Sequence, residues 1–201
     1  MKPVILFALV FFLFTRSAAA QDTIRLHFLY GSKPAKGFKD SEKKLFGGLK
    51  GGHVNIQVDN QVLDFMPGDP CAIVPNNAKP GGGFRLSKGV YWDTANTKWS
   101  TVYIPVSGEQ KEKLLSIFKE YAASTPYDYA VFGMRCAAAS YDVLSEAGLF
   151  KRLRNPNNVM VHFYPKLLRK KIYRWAENRN YRVVHHEGRT SRKWETDNGI
   201  F

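Results

Sequence analysis

Two cysteines in 201 residues are too few for a disulfide-dense miniprotein or a four-cysteine zinc site. No apolar run approaches the roughly 20 residues that a transmembrane helix needs. The longest, Val4 to Phe14, has eleven. Acids are scarce, with 17 Asp and Glu against 30 Lys and Arg, for a formal net charge of +13. No phosphate-binding glycine loop is present, because Gly81-Gly82-Gly83 lacks the Lys-Ser/Thr ending. His27, His162, His185 and His186 have no companion ligands at metal spacing, and no metal or organic cofactor is expected. Apolar residues, by contrast, make up 44% and aromatics 14%. That supports a sizeable core and excludes a disordered chain. The length suits one domain.

The first twenty residues read as an address. Lys2 precedes the apolar run, and Ala18-Ala19-Ala20 supplies the small residues a signal peptidase selects. A signal peptide spanning residues 1–20 is expected, with a mature domain of residues 21–201 secreted or delivered to the periplasm. The alternative is an uncleaved anchor, which the short run disfavours. An oxidising destination makes a nucleic-acid partner unexpected.

The positive charge is not spread evenly. Between Lys151 and Trp194 there are 13 basic and 2 acidic residues, whereas residues 21–150 carry 15 and 13. The basic C-terminal quarter is a solvated face or a surface turned toward an anionic envelope polymer or lipid.

The order of elements predicts an α+β fold with a mainly antiparallel sheet packed against a few helices. Thr23 to Tyr30 reads as a strand. Gly31 to Gly52 reads as a lysine-rich loop, with a helical turn at Ser41–Phe46. His53–Val58 and Gln61–Phe65 form a hairpin around Asp59-Asn60. A second hairpin is expected from Phe84–Trp92 and Trp99–Val106, after a hinge at Gly81–Gly83. Helices are expected from Glu109 to Ala123 with Ser107 as N-cap, from Met134 to Ala147 before Gly148, and from Pro165 to Glu177. A last strand is expected at Tyr181–His185.

Three residues stand out chemically. Cys136 lies at the start of a predicted helix, where free N–H groups and the dipole favour a thiolate and can hold an oxyanion. It also reads as a small core cysteine. His53 opens a strand after Gly51-Gly52, and an imidazole is the usual base for a thiol nucleophile. Asp64 falls roughly opposite His53 in the hairpin and can fix its orientation. Asn55 and Asp59 are alternatives for that third position. Cys71 offers a disulfide partner for Cys136, which would make both structural. Tyr173, Trp175, Tyr181 and Trp194 interleave with the C-terminal cations. They read as core packing, or as stacking groups for single strands.

Together these stretches resemble the circularly permuted branch of the NlpC-type papain-like cysteine hydrolases, which includes the lecithin:retinol acyltransferase-like proteins. GGHVNIQVDNQVLDF is similar to the family's histidine strand, turn and return strand. PYDYAVFGMRCAAASYDVLSEAGL is similar to its cysteine helix and the approach to it. The resemblance covers roughly His53 to Gly148. It implies a permuted papain-like fold with Cys136 as nucleophile, His53 as base, Asp64 as third residue and Tyr127 lining the site. Arg135 departs from the pattern, since relatives often carry a small or amide residue there.

The function expected is an exported cysteine hydrolase, an amidase or peptidase, cleaving an amide or ester bond. The implied substrates are cell-wall peptides or acyl-lipids. The alternative is a non-catalytic protein of the same fold that binds an anionic envelope surface.

Overall fold

The computed structural model describes residues 22–31, 52–90 and 98–188. The expected signal peptide, residues 32–51 of the expected loop with its Ser41–Phe46 turn, and most of the Asp93–Lys98 connection lie outside the described residues. Six strands form one antiparallel sheet: β1 (Asp22–Tyr30), β2 (Gly52–Val58), β3 (Gln61–Met66), β4 (Gly83–Lys88), β5 (Trp99–Val106) and β6 (Val183–His186). Their order across the sheet is β4-β3-β2-β1-β5-β6. Among the described residues, four helices pack with it: α1 (Gly108–Ala123), α2 (Cys136–Glu146), α3 (Asn155–Val161) and α4 (Pro165–Glu177). The architecture is α+β.

Alternation in the sequence sets the inward rows. Ile24, Leu26 and Phe28 of β1 are buried beside Val54, Ile56 and Val58 of β2. They share one core with Leu114 and Phe118 of α1, Val143 and Leu144 of α2, and Leu168 and Ile172 of α4. Hydrophobic burial of this kind is the main force holding helices to a sheet. The basic C-terminal helix and strand therefore belong to the same core as the rest.

Local chemistry fixes the helix ends. The Ser107 hydroxyl accepts from the Gln110 N–H, and the Gln110 side chain accepts from the Ser107 N–H, a reciprocal capping box. Pro165 begins α4, where its missing N–H costs nothing. Gly148, at φ +80°, ends the α2 region in a conformation that suits glycine.

The expected second hairpin does not form. β4 pairs with β3, while β5 pairs with β1 and β6. Burial explains the difference. In β4 only Phe84 is buried, so β4 suits an edge. In β5 six of eight residues are buried, and it needs a neighbour on each side. α3 was not anticipated, because its sequence NPNNVMV carries three asparagines and a proline. Tertiary bonds hold it: Asn158 is fully buried, donates to the Ala138 carbonyl at 2.9 Å and meets His162 Nδ1 at 2.7 Å. The last strand lies slightly later than expected, with His186 stacked on Trp99 at 3.7 Å between ring centroids.

Candidate active site

The β2–β3 hairpin positions the histidine. Its ladder runs from Val58↔Gln61 to Asn55↔Asp64. Asp64 therefore faces Asn55 directly, and His53 reaches it from two residues along the same row. Long side chains can bridge such diagonals. His53 Nε2 lies 3.0 Å from Asp64 Oδ1. A carboxylate only accepts, so the imidazole N–H donates. This leaves Nδ1 as the ring nitrogen available to the thiol.

Gly52 sets the approach to His53. Its φ is +94°, and a Cβ there would lie 2.8 Å from the Leu29 carbonyl oxygen. Only glycine fits this entry into the strand without strain.

Arg135 takes the N-cap position of α2, and Cys136 is the first helical residue. The helix starts two residues later than the sequence suggests, which puts the sulfur closer to the free N–H end. Residues 136–145 are all buried, and Ala137, Ala138 and Ala139 let the helix sit deep in the core. The Val54 N–H donates to the Cys136 sulfur, and the His53 side chain hydrogen-bonds to it. The β2–β3 ladder has ended by Val54. The sulfur thus sits where the two strands part.

Charge follows from this placement. Burial pushes the Cys136 thiol up, but the charge and hydrogen bond of His53, the Arg135 guanidinium and the Val54 N–H outweigh it. The net shift is below the ordinary thiol value. Burial pushes His53 down, but the Cys136 sulfur and the Asp64 carboxylate raise it to about 10. The arrangement favours a thiolate–imidazolium pair, both members almost fully buried.

The alternatives for the third position lie elsewhere. Asp59 Oδ1 is 3.1 Å from Lys111 Nζ, at the turn end of the hairpin. Asn55 is fully buried, and its amide hydrogen-bonds to none of the described residues. Cys71 is exposed, Cys136 is buried and both are free, so the two form no disulfide.

Tyr127 and Tyr129 divide the role expected of one tyrosine. The Tyr127 ring borders a cleft of about 420 Å3 together with Phe132, Met134, Pro156 and Met160. Its hydroxyl donates to Asp142 Oδ2 at 3.3 Å. Tyr129 is the tyrosine that feels the sulfur. Burial raises its pKa first, the Cys136 charge raises it further, and the Arg135 charge and its hydrogen bond oppose both. Sequence reading missed Tyr129 because both tyrosines flank Asp128 in one short approach. Nothing in the spacing tells which one turns toward the helix start.

Asp128 holds that approach in place. Its carboxylate accepts from the backbone N–H groups of Asn76, Gly81 and Gly82 at 3.1, 2.9 and 3.0 Å. Burial would raise its pKa, but these donors bring it below the ordinary value. Arg135 is also fixed, its guanidinium 4.5 Å from the Phe163 ring centroid and 5.4 Å from that of Tyr164. Its charge supports the thiolate.

Among the described residues, no group of three or more His, Cys, Asp or Glu side chains is placed to hold a metal. No described helix is long and apolar enough to cross a membrane. No protein-family model, curated protein or solved structure matches the chain.

Proposed function

We propose that the protein is a cysteine hydrolase of the permuted papain-like type, acting on an amide or ester. The observation that carries this reading is His53, placed between the Asp64 carboxylate at 3.0 Å and the Cys136 sulfur at the start of α2. The Cys136 thiolate attacks the substrate carbonyl carbon and forms a C–S bond. N–H groups at the helix start hold the negative oxygen. The carbon–nitrogen or carbon–oxygen bond then breaks, and His53 gives its proton to the leaving group. Water attacks the resulting thioester while His53 takes its proton. The acid leaves and the ion pair is restored. Asp64 keeps the imidazole oriented throughout and stabilises its charged form. The residues balance this cycle without an organic cofactor or a metal.

The expected export to the periplasm or exterior places cell-wall peptides and acyl-lipids in reach as substrates. A p-nitrophenyl ester tests the chemistry without knowledge of the natural substrate. The reading predicts a burst of one equivalent of p-nitrophenol and a matching acyl mass on the Cys136 peptide. Loss of both in Cys136→Ser completes the expected result. An acyl group on any other residue, or none with several chain lengths, overturns it.

A further inference from the structure

The face beside the cleft carries an apolar patch that the hydrolase chemistry does not use. Ile73, Val74, Phe132, Met160 and Val161 are 50–77% exposed. Single exposed apolar residues are ordinary, but a group of them marks an interaction surface. These five stand on adjoining segments. The Phe132 N–H donates to the Ile73 carbonyl at 2.9 Å, and the Val131 N–H donates to that of Ala72 at 2.9 Å. The cleft then joins this pair of segments to α3, since Pro75, Phe132 and Met160 all line it.

Charge indicates what the patch meets. Residues 151–188 hold ten Lys and Arg and two acids. Lys151, Arg152 and Arg154 are exposed and lead directly into α3, the helix that carries Met160 and Val161. Asp128, the acid in the cleft wall, is buried and held by backbone donors, so it presents no exposed acid to this face. Apolar tips beside flexible cations are the composition accepted at the boundary between acyl chains and anionic headgroups. A rigid protein partner would have to cover apolar tips and exposed cations together.

We propose that this face docks on an anionic lipid bilayer, with Phe132, Met160 and Val161 entering the interface and the cations before α3 binding headgroups. Docking does not depend on the hydrolase reading, so the two fail separately. It also brings the mouth of the cleft against the lipid.

The test uses the full chain with Cys71→Ser and Cys136→Ser, so that no catalysis intervenes. An environment-sensitive fluorophore is attached at Met160→Cys, or at Lys119→Cys on the exposed side of α1 as a control. Phosphatidylcholine vesicles with and without phosphatidylglycerol are the probe surfaces. The expected result is a blue shift and brightening at position 160 with phosphatidylglycerol only, weakened by added salt, and none at position 119. Removing Lys151, Arg152 or Arg154 lowers the affinity about fivefold each, and Phe132→Asp removes the blue shift. A fluorophore at 160 that stays aqueous, or that responds equally to neutral vesicles, overturns the proposal. So does a blue shift without vesicles that tracks a doubling of mass by sedimentation, which assigns the face to a second copy of the chain.

Discussion

His53 meets Asp64 on a diagonal: the residue directly across from Asp64 is Asn55, yet the 3.0 Å contact runs from His53 Nε2 to Asp64 Oδ1. This geometry separates three nearby polar residues that sequence position alone cannot rank. Asp64→Asn is expected to lower the reactivity of Cys136 at least tenfold, because the charged imidazole loses its carboxylate. Asp59→Asn, which disturbs only the Lys111 ion pair, is expected to leave it unchanged. Second-order rates with a small alkylating agent make the comparison. Equal rates in both variants would remove Asp64 from the site.

The strand entry gives a second expectation. At Gly52 the positive φ and the 2.8 Å approach to Leu29 oppose any side chain. Gly52→Ala is expected to destabilise the protein by about 1–3 kcal/mol and to slow Cys136 alkylation by displacing His53. Urea unfolding and alkylation on the same samples check both. An unchanged midpoint would show that the strand entry relaxes freely.

Stability is expected to depend on a histidine outside the site. His162 is fully buried; burial lowers its pKa, Lys171 adds to this, and the value falls to about 4. The unfolded value is about 6.5, so the unfolded chain binds the proton first as pH falls. Stability is therefore full above about pH 6.5 and is lost as pH drops toward 4, by on the order of 3 kcal/mol. His162→Gln is expected to flatten this part of the profile, whatever its own effect at neutral pH. Identical pH slopes in the two proteins would contradict the assignment.

The sequence carried some of this architecture in local signals. Asp59-Asn60 between alternating runs is sufficient to mark the β2–β3 hairpin, and Ser107 with Gln110 marks the start of α1. The α2 helix and its end before Gly148 followed from helical spacing and a terminal glycine, with its start placed two residues early at Met134. Other features depend on contacts distant in the chain. β4 and β5 are close in sequence, but burial drives them to opposite sides of the β3-β2-β1 core of the sheet. α3 forms against its own propensity because Asn158 finds the Ala138 carbonyl. The parts played by Tyr129, Arg135 and the Val54 N–H at the sulfur depend on how α2 meets the parting strands. No local pattern encodes that meeting.

The two cysteines provide the most direct test, because accessibility and ionisation rank them oppositely. Cys71 is exposed, but burial of part of its side chain and the Asp128 charge raise its pKa against the opposing pull of Arg135. Cys136 is buried, and His53 lowers its pKa. Iodoacetamide labelling from pH 5 to 9, mapped by peptide mass, compares them. An ordinary thiol is only about 1% ionised at pH 6.5. Cys136 is expected to keep labelling to lower pH than Cys71 and to lead it at the acid end of the range. In His53→Ala its rate at pH 6.5 falls by at least tenfold, because burial then raises the thiol without the opposing imidazolium. Labelling led by Cys71 at every pH, or a Cys136 rate untouched by His53→Ala, would contradict the thiolate–imidazolium pair.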